Sequence, residues 1–204
     1  MAKKDLSKEL QELYFPPVDK PVSVDVPEMT FIMVDGQGDP NTSKDFQNAI
    51  GALYSVAFTA KFTLKKGDKK RDFMVMPLEA LWWSDKEEDF LKQRKSVWKW
   101  RAMIMLPDRI KREDIEDAMA QLKKKGKDLP ALAKLKFERW KEGKSAQIMH
   151  IGPYSAERPN IEKLRKFIAD GGHKLRGRHH EIYLGDPRRA KPEKLKTVVR
   201  QPYD

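Results

Sequence analysis

The chain has 204 residues, of which 39% are hydrophobic and 36% charged, and 42 Lys and Arg against 31 Asp and Glu give a formal net charge of +11. This composition is typical of a globular protein with a highly charged surface, and no apolar run approaches the roughly 20 residues that span a bilayer. The absence of cysteine excludes disulfides and thiolate metal sites, and the N-terminus lacks an apolar signal core, so a cytoplasmic location is expected.

The first half of the chain predicts four elements. A buried strand over residues 29–35 leads into a glycine-containing turn. A helix over 41–62 follows, with N-cap candidates at its start and apolar residues at helical spacing, namely Phe46, Ile50, Leu53, Ala57, Phe58 and Phe62. The segments 73–83 and 96–106 predict two strands, the second alternating in polarity. The order is therefore strand, helix, strand, strand.

The second half predicts a similar order of elements. Glycines close its two main helices, and Gly143 is the expected turn of a strand pair. In chain order the elements are a helix over 107–126, a short helical link over 127–135, a strand pair over 136–154, a helix over 155–172 and a closing strand over 178–189.

This recurrence predicts an α+β domain over residues 22–204. Its two β-α-β-β modules, about 22–108 and about 109–204, are expected to be related by a pseudo-two-fold axis. Residues 1–21 are charged and end at prolines, which predicts an N-terminal tail or a short helix followed by a turn.

Each half carries one glutamate among large apolar neighbours in the strand after its main helix. These are Glu79 in "MPLEALWW" and Glu181 in "HHEIYL". An ionised carboxylate buried without a partner is costly, so each residue requires an explanation. One alternative is an ion pair, with Arg101 or Arg139 as the partner. The other is that both face one central cleft, where convergent polar groups beside aromatic surface would form a small-molecule site.

The chain resembles the GyrI-like small-molecule-binding superfamily, which includes the effector-binding domains of bacterial multidrug-responsive regulators. The matching segments are "VMPLEALWW" (75–83), "MHIGPY" (149–154), "EIYLGDPRR" (181–189) and "LKTVVRQPYD" (195–204). The resemblance implies two β-α-β-β modules around a central ligand cleft. Regulator members carry a DNA-binding segment for which residues 1–21 are too short, so a stand-alone role is expected.

Within that superfamily, "PLEALWW" (77–83) and "WKWRAMI" (98–104) resemble the cyclopropanoid cyclopropyl hydrolases. The narrower resemblance implies detoxification by opening the cyclopropane of DNA-alkylating natural products. The alternative is a non-catalytic module that binds or sequesters planar or cationic drugs. A hydrophobic aromatic small molecule is the expected partner in both cases, and a homodimer is left open.

The chemistry assigns provisional roles to particular residues. Glu181, and after it Glu79, are the candidates for activating water, on the expectation that an apolar site raises the pKa of the carboxyl group. Tyr154 and Tyr183 are candidate hydrogen-bond donors, and Tyr183 shares a strand face with Glu181. The candidate stacking surfaces are Tyr54, Trp83, Trp100 and Trp140, although large aromatic residues belong to the core by default.

Other functional classes are not supported by motifs. The four histidines match no zinc spacing, and we expect no metal and no cofactor. His179 and His180 are adjacent, so in a strand they point to opposite faces. The lysines alternate with acids or lie at helix ends, as on a solvated face, and no nucleic-acid-binding motif or membrane-surface helix is found. Neither nucleic acid nor a membrane is an expected partner.

Overall fold

The structure is a computed structural model that describes residues 10–86, 92 and 94–204; residues 1–9 of the predicted N-terminal extension lie outside this range. The strands are β1 Val22–Gln37, β2 Leu78–Trp83, β3 Lys99–Leu106, β4 Lys136–Ile151, β5 His179–Tyr183 and β6 Lys196–Pro202. The α-helices are α1 Gln11–Tyr14, α2 Lys44–Gly67, α3 Arg112–Lys124 and α4 Arg158–Asp170.

The predicted α+β class is confirmed. Strands pair antiparallel, and the order β1-α2-β2-β3 recurs as β4-α4-β5-β6, which is the β-α-β-β order. No helix among the described residues is both long and apolar enough to cross a membrane. By contacts the described chain forms two compact units, the first of residues 29–76 and 83–140 and the second of 10–28, 77–82 and 141–204.

Helix α2 is the main helix of the first unit. It begins at a Ser43 N-cap, whose hydroxyl accepts a hydrogen bond from the Phe46 backbone N–H at 3.3 Å. The predicted helix is confirmed and extends further, to Gly67. Phe58 and Phe62, however, are 43% and 60% exposed rather than part of the buried face. They stack in line with Tyr54 along the outer side of the helix.

Strand β3 shows the predicted alternation. Trp100 and Ala102 are buried, whereas Lys99 and Arg101 are half-buried. Arg101, one of the two partners considered for an ion pair with Glu79, instead donates to both carboxylate oxygens of Asp35, at 2.6 and 3.0 Å.

Two strand predictions in the second half were wrong. Gly143 does not reverse the chain, since β4 is one strand across it. The residue has φ +75°, and a Cβ there would lie 3.3 Å from Arg176 Nη2, which donates to the Glu142 carbonyl at 2.6 Å. Gly143 therefore makes room for this guanidinium within an extended strand. In addition, the closing strand predicted over 178–189 is limited to β5, His179–Tyr183, and a further strand, β6, follows it.

The second unit is built on the ladder β2-β5-β6-β4. Its register places Glu181 opposite Val199 and Val199 opposite Ile148, so these three share one face of the sheet. Helix α4 packs on this face through Leu164 and Ile168. The other face carries the polar side chains that contact the segment around α1.

Candidate functional site

The two predicted glutamates lie on neighbouring strands but on opposite faces of the sheet. In the β2–β5 ladder Glu79 is opposite Ile182, and Ala80 is opposite Glu181. Residues directly opposite each other share a face and successive residues alternate, so the two carboxylates point away from each other. The expectation that both face one cleft is wrong.

Glu79 belongs to a fully buried network. Tyr14 donates its hydroxyl hydrogen to Glu79 Oε1 at 2.7 Å, and His180 Nε2 donates to Glu79 Oε2 at 3.0 Å. The other ring nitrogen, His180 Nδ1, lies 3.0 Å from each carboxylate oxygen of Glu142. Both ring nitrogens thus face carboxylates, which only accept, and the ring is held as an imidazolium.

Arg200 completes the network and fastens the segment around α1 to the sheet. Its guanidinium donates to Glu142 Oε2 at 3.0 Å, to Gln147 Oε1 at 2.9 Å and to the Leu13 carbonyl at 2.7 Å. The side chains of Arg200, Glu142 and His180 are at most 1% exposed. Two carboxylates are therefore balanced by two cations inside the sheet, with the partners that buried charges require.

The pKa shifts agree with this closed arrangement. Burial lowers the pKa of His180, but the Glu142 carboxylate and the hydrogen bonds that the ring donates to both glutamates raise it by more, so the net shift is upward. For Glu142 burial raises the pKa, and His180 and Arg200 outweigh it, so the net shift is downward. Burial and the neighbouring Glu79 raise the pKa of the Tyr14 hydroxyl.

The opposite face presents Glu181 in a different setting. Tyr183 donates to Glu181 Oε2 at 2.7 Å, and His179 Nε2 lies 3.1 Å from Glu181 Oε1. Trp82 Nε1 donates in turn to the Tyr183 hydroxyl at 3.0 Å. The Glu181 side chain is 13% exposed, against 0% for Glu79.

The expected rise in the pKa of Glu181 is wrong. Burial does raise this pKa, but hydrogen bonds from His179, Tyr183 and Glu157 outweigh burial and lower it. Glu181 is therefore ionised at neutral pH. Burial and the Glu181 charge raise the pKa of Tyr183 well above the usual value, so this phenol keeps its proton.

Tyr154 and Glu157 reach the same face from the start of α4. The Tyr154 ring is 37% exposed and packs edge-on against the Tyr183 ring, with centroids 5.5 Å apart. Glu157, the N-cap residue of α4, is buried and contributes to the lowered pKa of Glu181. We call the set Trp82, Tyr154, Glu157, His179, Glu181 and Tyr183 the Glu181 site.

The remaining predicted ligand-binding residues lie in the first unit. Tyr54 and Trp83 are half-buried, and Trp140 packs edge-on against Phe31 at 5.9 Å. Trp100 is 1% exposed and belongs to the core, with its ring edge-on to Phe46. Their roles in ligand binding stay predictions, as does a catalytic role for Glu79.

Three members of the Glu181 site were not selected from the sequence. His179 was examined only as a metal ligand, although its predicted orientation opposite to His180 is confirmed. Trp82 was passed over in favour of Trp83, and it lies across from His179 in the β2–β5 ladder. Glu157 was not singled out in the sequence. Within the described residues no group of three or more His, Asp or Glu is arranged to hold a metal ion.

Comparisons with known proteins identify similar sequences and folds. A family model described as the GyrI-like small molecule binding domain matches residues 20–203. An uncharacterized conserved protein from Listeria innocua is 38% identical, with a TM-score of 0.91 over 99% of this chain and 100% of that chain. Two structures of a hydrolase from Listeria innocua are 36% and 37% identical, with TM-scores of 0.85 and 0.87 over the same shares. A comparison with curated proteins finds no match.

Proposed function

The chain belongs to the GyrI-like small molecule binding domain family, and from this premise we propose that it hydrolyses a strained ring in a planar aromatic small molecule at the Glu181 site. The observation that carries the proposal is the ionised carboxylate of Glu181, on a side chain that is 13% exposed, among the rings of Trp82, Tyr154 and Tyr183. The similar hydrolases from Listeria innocua support hydrolysis as the class of reaction.

The substrate class we propose is a cyclopropane conjugated to a dienone, as in DNA-alkylating natural products. The oxygen of water attacks the cyclopropane carbon, the carbon–carbon bond breaks, and its electron pair makes the ring a phenolate. Water transfers one proton to Glu181, which releases it to the solvent, and the phenolate oxygen takes up one proton from the solvent, so the net change is addition of one water.

Each residue has a defined part in this scheme. Glu181 accepts the proton from water, and its lowered pKa makes it a weak base whose contribution comes mainly from position. Tyr183 and His179 hold its two oxygens in place. Tyr154 is the donor we assign to the dienone oxygen, because its ring lies at the exposed edge of the site. Opening the ring would detoxify the alkylator before it reaches DNA.

A second function has one specific observation in its favour. Because hydrogen bonds keep Glu181 ionised beside aromatic rings, the site also suits a planar cation, which aromatic faces and a carboxylate both attract. In that case the protein sequesters the ligand and produces nothing.

The experiment is to incubate the protein with a cyclopropane dienone of the duocarmycin type and to follow the ligand by mass spectrometry. Hydrolysis predicts many molecules of the water adduct per protein. Glu181→Gln should stop it, whereas Glu162→Gln, a change at an exposed glutamate of α4 paired only at the surface with Arg158, should not. Ligand that co-elutes unchanged with the wild-type protein would instead favour the sequestration function.

A further inference from the structure

The segment "MHIGPY" is not explained by the Glu181 site alone, since its histidine does not contact Glu181. His150 lies opposite Thr197 in the β4–β6 ladder, and Thr197 lies opposite Tyr183 in the β5–β6 ladder. His150 therefore shares the sheet face of Tyr183 and Glu181. It is only 5% exposed.

The contacts of His150 define its protonation state. Its Nε2 lies 3.1 Å from the carbonyl oxygen of Pro153, which can only accept, so Nε2 carries a hydrogen. Its Nδ1 lies 3.1 Å from the side-chain nitrogen of Asn160, which donates, so Nδ1 carries none. The ring is thus a neutral Nε2–H tautomer with both nitrogens satisfied.

These two bonds fix the turn between β4 and α4. Gly152 has φ +138°, and a Cβ there would lie 3.3 Å from His150 Nε2, so the turn requires glycine both for its backbone and for space. The Pro153 carbonyl that His150 holds also accepts from the Ala156 backbone N–H at 2.9 Å. It thereby begins the short helical turn Tyr154–Ala156.

This turn carries two members of the Glu181 site. Tyr154, at its first position, packs against Tyr183, and Glu157, directly after its last, contributes to the lowered pKa of Glu181. Asn160, the second partner of His150, lies in the first turn of α4. One imidazole therefore ties strand β4, the turn and helix α4 together beside the site.

We propose that His150 is a positioning residue that acts through Tyr154 and Glu157, holding them against Tyr183 and Glu181 by means of its neutral Nε2–H tautomer. The effect on catalysis rests on the proposed hydrolysis. The effect on geometry does not, and it can be measured without any substrate.

The first test is NMR of ¹⁵N-labelled imidazole at neutral pH, together with NOEs between the rings of Tyr154 and Tyr183. We expect the Nε2–H tautomer for His150 and ring-to-ring NOEs in the wild-type protein. We expect the NOEs to persist in His150→Gln, whose amide offers one donor and one acceptor, and to be lost in His150→Leu. An Nδ1–H tautomer, an imidazolium, or unchanged NOEs in a folded His150→Leu protein would overturn the proposal.

The second test is turnover of the cyclopropane dienone. Because displaced groups lower rates steeply, His150→Leu should lose about 10- to 100-fold in kcat, while His150→Gln should stay within about threefold of wild type. His173→Leu, at an exposed histidine beside Tyr203, is the matched control and should not change kcat. Wild-type kcat in a folded His150→Leu protein would contradict the positioning role.

Two further outcomes keep the tests separate. If the wild-type protein shows no turnover, the hydrolysis proposal fails, and the tautomer and the NOEs still decide the role of His150. If His150→Leu does not fold, Asn160→Leu removes one of the two bonds at a half-buried position. Weakened NOEs between Tyr154 and Tyr183 in that variant would support the proposal, and unchanged NOEs would overturn it.

Discussion

Each face of the β2–β5 ladder carries a glutamate and a histidine, but the two pairs differ in their exposure to solvent. On one face Glu79 and His180 lie in a network whose side chains are at most 1% exposed. On the other, Glu181 and His179 form a similar pair, but the Glu181 side chain is 13% exposed and the second carboxylate oxygen accepts a hydrogen bond from Tyr183. We call these the closed face and the open face.

The comparison indicates that one glutamate–histidine pair has a structural role, whereas the other is the candidate for a chemical role. On the closed face both carboxylates are matched by His180 and Arg200, and these bonds fasten a remote chain segment through Leu13. On the open face the Glu181 side chain is partly exposed and lies among aromatic rings. Exposure of the side chain, rather than residue type or a shifted pKa, therefore separates the candidate catalytic carboxylate from the structural one.

Glu181→Gln should have the largest effect on turnover. If Glu181 is the general base, the variant should lose about 10²- to 10⁴-fold in kcat. Its free energy of unfolding should change little, because the amide keeps the volume and the site is partly solvated. The measurements are turnover of the cyclopropane dienone and urea unfolding.

Glu79→Gln is the matched change on the closed face. We expect wild-type kcat per folded molecule and a clear loss of stability, the reverse of Glu181→Gln. Equal losses of kcat in both folded variants would contradict the division into a catalytic Glu181 and a structural Glu79. That result would favour the expectation from the sequence that Glu79 is also catalytic.

Glu142→Gln should have the largest effect on stability. The change removes a carboxylate that balances His180 and Arg200, and breaking a buried pair by neutralising one partner costs about 3–5 kcal/mol. Urea unfolding measures this loss. Glu162→Gln is the control, since a surface pair is worth about 0–1 kcal/mol. A loss at Glu142 no larger than in the control would mean that the closed face is not a mutually dependent network.

Tyr14→Phe tests whether the closed face holds the segment around α1. The change removes the 2.7 Å hydrogen bond to Glu79, and bonds to charged groups contribute about 1.5–3 kcal/mol. Tyr203→Phe is the control, because its hydroxyl donates to the neutral hydroxyl of Ser23 at 2.9 Å, a bond worth about 0.5–1.5 kcal/mol. We expect Tyr14→Phe also to speed amide hydrogen exchange in α1. Unchanged amide hydrogen exchange in α1 would mean that the Tyr14–Glu79 hydrogen bond does not hold this segment to the sheet.

The element order could be predicted from the sequence, because amphipathic spacing and turn residues are local signals. Helix α2 and the alternation in β3 follow directly from such patterns. Gly143 was misinterpreted as a turn because its reason for being glycine is Arg176, more than thirty residues later in the chain. Strand β6 was missed because its residues were considered only as part of a family motif, and they show no alternation of buried and exposed positions.

The Glu181 site could be predicted only in part. The sequence singled out Glu181, Tyr183 and Tyr154, since strand alternation and an unusual carboxylate are visible in one chain. That Trp82, rather than Trp83, reaches Tyr183 depends on which strands pair and in which register, and a single sequence does not contain that information. The same register separates Glu79 from Glu181.

The pH dependence of stability tests the charges of the closed face, and we expect a smaller effect than in the variants above. The pKa of His180 is raised in the folded state, so its contribution is complete below the unfolded value of about 6.5 and is lost as the pH rises through the folded pKa. The pKa of Glu142 is lowered, so its contribution is present above about 4.3 and is lost as the pH falls. The free energy of unfolding of the wild-type protein, measured relative to His180→Gln, should therefore decline above about pH 6.5, where the native state binds the extra proton. Urea unfolding of both proteins from pH 5 to 9 measures this difference, and a difference that stays constant across the range would mean that His180 is not held as an imidazolium between its two carboxylates.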